Sequence, residues 1–98
     1  MRLLVTSVRK STDAARLSKA LVLRGLAACA SFWPVQSAYK WRGKLVQEKE
    51  YLLEIKTAKP AAARRWLEKN HPYQIPMIYS RPMGGLGAAY LKWAESGG

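Results

Sequence analysis

Two alternating apolar runs that meet at one tight turn constrain this chain more than any other feature. The first reads Leu26-Ala27-Ala28-Cys29-Ala30-Ser31-Phe32-Trp33-Pro34 and continues to Tyr39-Lys40-Trp41. The second leaves Arg42-Gly43-Lys44 and ends in Glu50-Tyr51-Leu52-Leu53-Glu54-Ile55-Lys56-Thr57. Alternation on both sides of a turn that contains glycine is the pattern of a β-hairpin. Each arm spans about a dozen residues, or roughly 40 Å at the usual strand rise. A compact chain of this length has a radius of gyration of only about 13 Å. The hairpin must therefore overhang the body that carries it. Trp33, Val35, Tyr39 and Trp41 all fall at odd positions and share one face of the overhang. A row of exposed aromatics marks a contact surface, so the chain is expected to meet another copy of itself.

The 98 residues suffice for a single domain over residues 1–98, and 49% hydrophobic residues suffice for a modest core. The single cysteine excludes an intramolecular disulfide framework and a Cys-x-x-Cys metal site. The start of the chain turns polar at Thr6, before the run of about 7–15 apolar residues that a signal peptide needs. No segment reaches the roughly 20 apolar residues of a membrane span. These features predict a cytoplasmic protein without a membrane partner. Seventeen lysines and arginines against six acidic residues leave a formal charge of +11. Such an excess implies non-specific affinity for polyanions. The charges are scattered along the chain, so no dedicated nucleic-acid site is evident from their order.

Around the hairpin the pattern predicts a short strand over Arg2 to Val8. A helix follows, capped by Ser11 or Thr12, with Ala14, Leu17, Leu21 and Val22 on one face and Gly25 as its stop. Pro60 suits the first turn of a second helix ending at Asn70, whose apolar stripe includes Ala62 and Trp66, with Ala63 and Leu67 beside them. His71-Pro72 closes that helix, because a residue before proline avoids helical geometry. Met77 to Ser80 reads as a last strand, Gly84, Gly85 and Gly87 as a connection, and Ala88 to Glu95 as a terminal helix. The order is β-α-β-β-α-β plus a helix: an α+β, ferredoxin-like subunit with a long hairpin between its second and third strands.

Five segments together resemble the CutA family of divalent-cation tolerance proteins. They are Leu26-Ala27-Ala28-Cys29, Trp41-x-Gly43-Lys44, Glu50-x-Leu52-Leu53-x-Ile55-Lys56-Thr57, His71-Pro72-Tyr73-x-Ile75-Pro76, and Ala89-Tyr90-Leu91-x-Trp93. The resemblance implies a homotrimer similar in architecture to PII-type signal proteins. It also implies a link to copper and other divalent metals, without an established catalytic activity, and the chain is not expected to be an enzyme. No nucleophilic triad, phosphate-binding glycine loop or carboxylate pair in an apolar pocket is visible in the sequence either.

Cys29, His71 and Glu50 supply the thiolate, imidazole and carboxylate inside the matched segments, and they are the candidate metal ligands. Each has a structural alternative. Cys29 can pack as a small apolar side chain. His71 can sit at a helix C-terminus, where the dipole favours a protonated ring. Glu50 can pair with a basic residue across the sheet. Trp33, Tyr39, Trp41 and Tyr73 are expected at the interface or in a cleft between subunits. A rival reading makes the chain a basic, PII-like trimer that holds anions, nucleotides or nucleic acid in those clefts.

Overall fold

The computed structural model describes residues 1–97, which form four strands and three helices. In chain order these are β1 (Arg2–Val8), α1 (Ser11–Leu23), β2 (Cys29–Trp41), β3 (Lys44–Thr57), α2 (Pro60–Asn70), β4 (Ile78–Pro82) and α3 (Ala88–Glu95). The sheet is antiparallel in the order β2-β3-β1-β4. It is the α+β, split βαβ arrangement that the sequence predicts.

Helices α1 and α2 cover one face of the sheet. Leu4 and Val8 from β1, Leu53 and Ile55 from β3, Ala14, Leu17 and Leu21 from α1, and Ala63 and Leu67 from α2 form a continuous buried core. The buried stripe of α1 includes Ser18, while Val22 is exposed, so the inward face is rotated toward position 18 from the predicted one. In α2 the buried pair is Ala63 and Leu67; Ala62 and Trp66 are half-buried at the edge of the stripe. The cap of α1 is also displaced. Lys10 is the N-cap, in extended conformation, and no side chain caps the first turn.

Gly25 ends α1 as predicted. Its φ is +70°, its N–H reaches Val22 O at 3.0 Å, and the N–H of Leu26 reaches Leu21 O at 2.9 Å. This pair of bonds is a Schellman closure, and it turns the chain directly into the hairpin. Thr57, fully buried, ties the other end. Its hydroxyl donates to Leu26 O at 2.6 Å and accepts from the Lys59 N–H at 2.8 Å, just before α2 begins.

The hairpin is one unbroken ladder from Cys29↔Lys56 to Trp41↔Lys44, running straight through Pro34. β2 is an edge strand, where proline is tolerated. Arg42 (φ 53°) and Gly43 (φ +79°) both occupy the left-handed region, as a two-residue hairpin turn of the favoured twist requires. The hairpin stretches the molecule to 47 × 25 × 21 Å, with a radius of gyration of 14.2 Å. The last strand starts at Ile78 and runs to Pro82, two residues further along the chain than predicted at its far end.

Candidate functional site

Strand alternation puts Trp33, Val35, Ser37, Tyr39 and Trp41 of β2 opposite Leu52, Glu50, Glu48, Val46 and Lys44 of β3. This row faces away from the core that Leu53 and Ile55 join. The segment after α2, from Pro72 to Met77, folds over the body end of the row and closes a cleft of about 740 Å³. Glu50 lines it, Glu48 stands two residues along the same face of β3, and each carboxylate is held by a tyrosine. Tyr39 donates to Glu48 at 2.5 Å, and Tyr73 donates to Glu50 at 2.5 Å. Arg9, just past β1, reaches Glu48 at 3.0 Å through Nε and lies over the Tyr73 ring at 5.6 Å. The Tyr39 hydrogen bond, followed by that from Arg9, holds the Glu48 carboxyl below its ordinary range. Burial pushes the Tyr73 phenol well up, and the Glu50 hydrogen bond adds to it. Tyr73 therefore stays a donor. Glu50 is only 6% exposed, and among the described residues no lysine or arginine forms an ion pair with it.

His71 positions the covering segment. Its Nδ1 accepts the Tyr73 N–H at 3.1 Å, so its Nε2 carries the proton and donates to the Thr6 hydroxyl at 2.9 Å. Thr6 in turn donates to Met77 O at 2.7 Å. One neutral imidazole thus ties both ends of the Tyr73–Met77 segment to β1. Burial lowers the His71 pKa, which prevails over the preference of a helix C-terminus for a charged ring. Cys29 lies elsewhere. It is half-buried at the body end of the ladder, with Lys56 Nζ at 3.8 Å from its sulfur. Six residues of strand, about 20 Å, separate it from Val35, the partner of Glu50.

The profile described as CutA1 divalent ion tolerance protein matches residues 2–97. The chain belongs to the CutA1 family. It is 37% identical over 87 residues to the divalent-cation tolerance protein CutA of Thermus thermophilus, covering 85% of this chain and 84% of that protein. A CutA homolog of Xenopus laevis is 39% identical over 85 residues, 84% of this chain. The chain spans only 56% of the length of that frog relative. The CutA structure from Synechococcus elongatus superposes with a TM-score of 0.94 at 37% identity, over 98% of this chain and 88% of the other.

Among the residues expected from the sequence, this CutA1 fold gathers Glu50, Tyr73, Tyr39 and Trp41 around the cleft, with His71 behind its wall. Trp33 shares the face, 39% exposed, but stands outside the cleft. Glu50 has no basic partner across the ladder; its neighbour there is Val35. Sequence reasoning missed Glu48 and Arg9. Glu48 carries a legible signal, because a Glu-x-Glu step in a strand puts both carboxylates on one face. Arg9 has none, since only the closure of β1 against β3 brings it near.

Proposed function

We propose that this chain acts as a divalent-cation tolerance protein in the form of a cytoplasmic homotrimer without catalytic activity, taking up a divalent metal ion, copper foremost, at the cleft beside Glu50. The observation that carries this reading is the state of Glu50. In a chain with 17 basic residues, a carboxylate only 6% exposed has one hydrogen bond from Tyr73 and no cationic partner among the described residues. One tyrosine hydroxyl does not fill the acceptor capacity of a carboxylate, and a bound cation is the partner that would take up the rest. Glu48, kept ionised by Tyr39 and Arg9, adds a second carboxylate two residues away on the same face. The same two carboxylates speak against an anion in this cleft.

Two free edges support the trimer. β2 and β4 are the outer strands of the sheet, and β2 presents a 13-residue edge. A β2 edge meeting the β4 edge of the next copy is a head-to-tail contact, which leaves no open edge when three copies close into a ring. Trp33, Trp41 and Tyr79, each more than a third exposed, lie along the surfaces such a ring would cover.

Among the described residues of one chain, no three histidine, cysteine or acidic side chains converge as a metal group. A cation at Glu50 therefore keeps water ligands or gains donors from a neighbouring copy. Cys29 enters as such a donor. His71 enters only by giving up its two hydrogen bonds. Copper(II) leads the divalent ions at oxygen and nitrogen donors by the Irving–Williams order. Calorimetric titration of copper(II) into the full chain tests the reading. Glu50→Gln keeps the acceptor for Tyr73 but removes the charge, and it is expected to weaken binding about tenfold, roughly 1.4 kcal/mol. Cys29→Ser and His71→Ala measure the two remaining ligand candidates. Wild-type affinity in Glu50→Gln would remove the cleft from the metal reading.

A further inference from the structure

The scattered basic residues are gathered by the fold. α1 and α2 pack side by side on one face of the sheet, and residues 10–24 and 59–70 hold eight lysines and arginines against Asp13 and Glu68 alone. Lys10, Arg16 and Lys19 on the first stretch, and Lys59, Arg65 and Lys69 on the second, are all exposed. Arg24, at the C-terminal end of α1, lies over the Trp66 ring of α2 at 5.5 Å and joins the two rows. Among the described residues, Arg16 alone of these forms an ion pair, with Asp13 at 3.3 Å. On the face opposite the helices the charges are closer to balance: Glu48, Glu50 and Glu54 of β3, three of the six acidic residues in the chain, offset Lys44 and Lys56 of the same row together with Arg9 and Arg81. The helical layer carries the larger excess of positive charge.

We propose that the α1–α2 layer binds double-stranded nucleic acid through its phosphate backbone, without sequence preference. Charge complementarity favours this occupant. Thirteen helical residues span about 20 Å. A duplex presents about one phosphate per 1.7 Å of axis, so roughly a dozen phosphates face that length. The arginines offer the planar fork that fits phosphate oxygens. An anionic membrane fits less well. The exposed large apolar residues of the layer, Val22 and Leu23, sit together at one end of α1, where an interfacial helix would carry an apolar stripe along its whole length. The inference is independent of the metal reading and uses the opposite side of the subunit.

Fluorescence anisotropy of a 30-base-pair labelled duplex, titrated with the full chain at several salt concentrations, is the test. Wild type is expected to lose about a thousandfold in affinity between 50 and 200 mM salt, the behaviour of roughly six phosphate contacts. Lys19→Glu with Arg65→Glu is expected to weaken binding at least about tenfold and to flatten the salt slope by about two. Lys40→Glu with Lys92→Glu changes net charge equally but lies off the layer; it should stay within about threefold of wild type if position matters beyond total charge. Equal losses in the two double variants would reduce the effect to net charge and overturn the proposal. So would the absence of duplex binding at 50 mM salt, or tighter binding to phosphatidylserine vesicles than to the duplex.

Discussion

The two ends of the hairpin are built from the same alternating pattern yet are stabilised differently. At the body end Leu53, Ile55 and Thr57 are fully buried, with Leu4, Leu17 and Leu21 packed against them. Beyond Glu50 no residue of β3 is buried, and Leu45 is 66% exposed. The distal end is held by ladder hydrogen bonds, the Arg42-Gly43 turn and the Tyr39–Glu48 contact. An isolated two-stranded ribbon is marginal in water. The body end therefore serves the fold of one chain, while the distal end has no core of its own to hold it.

The sharpest way to break this comparison is truncation at both ends. Leu53→Ala should cost about 2–5 kcal/mol, as full burial of a leucine implies. Leu45→Ala should fall within about 0.5 kcal/mol in the dissociated chain. Urea melts at fixed protein concentration read both, and comparable losses would dissolve the distinction. Trp41→Ala comes next. If the distal face is an interface, this change should weaken assembly by about 2 kcal/mol, seen as a concentration-dependent drop in mass by light scattering, while the far-UV spectrum stays that of a folded chain. A wild-type chain that scatters as a monomer at micromolar concentration would refute the assembly itself. Gly43→Val should cost about 1–2 kcal/mol. A side chain there meets no atom within 4 Å, so the loss would report backbone strain at φ +79° alone.

The smallest effect concerns pH. His71 has its pKa lowered from 6.5 in the folded chain, so the unfolded chain binds its proton more readily. Its contribution to stability is complete above pH 6.5 and declines as pH falls from there through the lower, folded value. Denaturation midpoints of wild type and Thr6→Val between pH 7.5 and 5 measure it. The His71 share of the decline should grow when Thr6 no longer accepts from the ring, because that bond is stronger to the protonated imidazole. An identical pH dependence in both would separate His71 from the strap that covers the cleft.

Much of this architecture was legible because local rules sufficed. Period-two alternation placed both arms of the hairpin, Gly25 and Pro60 bounded the helices, and the odd-numbered aromatics of β2 do share a face. The misplacements arose where neighbouring positions compete. Val22 and Ser18 lie close on the helical wheel, and the angle at which α1 rests on the sheet buried the serine. The candidate site was half legible. Glu50, Tyr39, Trp41 and Tyr73 do meet around the cleft, whereas Cys29 and His71, which share only a chemical type with Glu50 as candidate ligands, do not line it. Cys29 stands about 20 Å along the strand, and His71 spends both ring nitrogens on the backbone amide of Tyr73 and the hydroxyl of Thr6.

By itself the sequence determined the elements, the overhanging hairpin and the family, since each depends on spacing between residues near in the chain. Tertiary structure alone decided what depends on distant partners. It set Arg9 against Glu48 across 39 positions and, among the described residues, left Glu50 nearly buried without an ion-pair partner. It also drew dispersed lysines and arginines into one cationic layer. Charge and burial are sums over neighbours in space, and the order of residues along a chain does not list those neighbours.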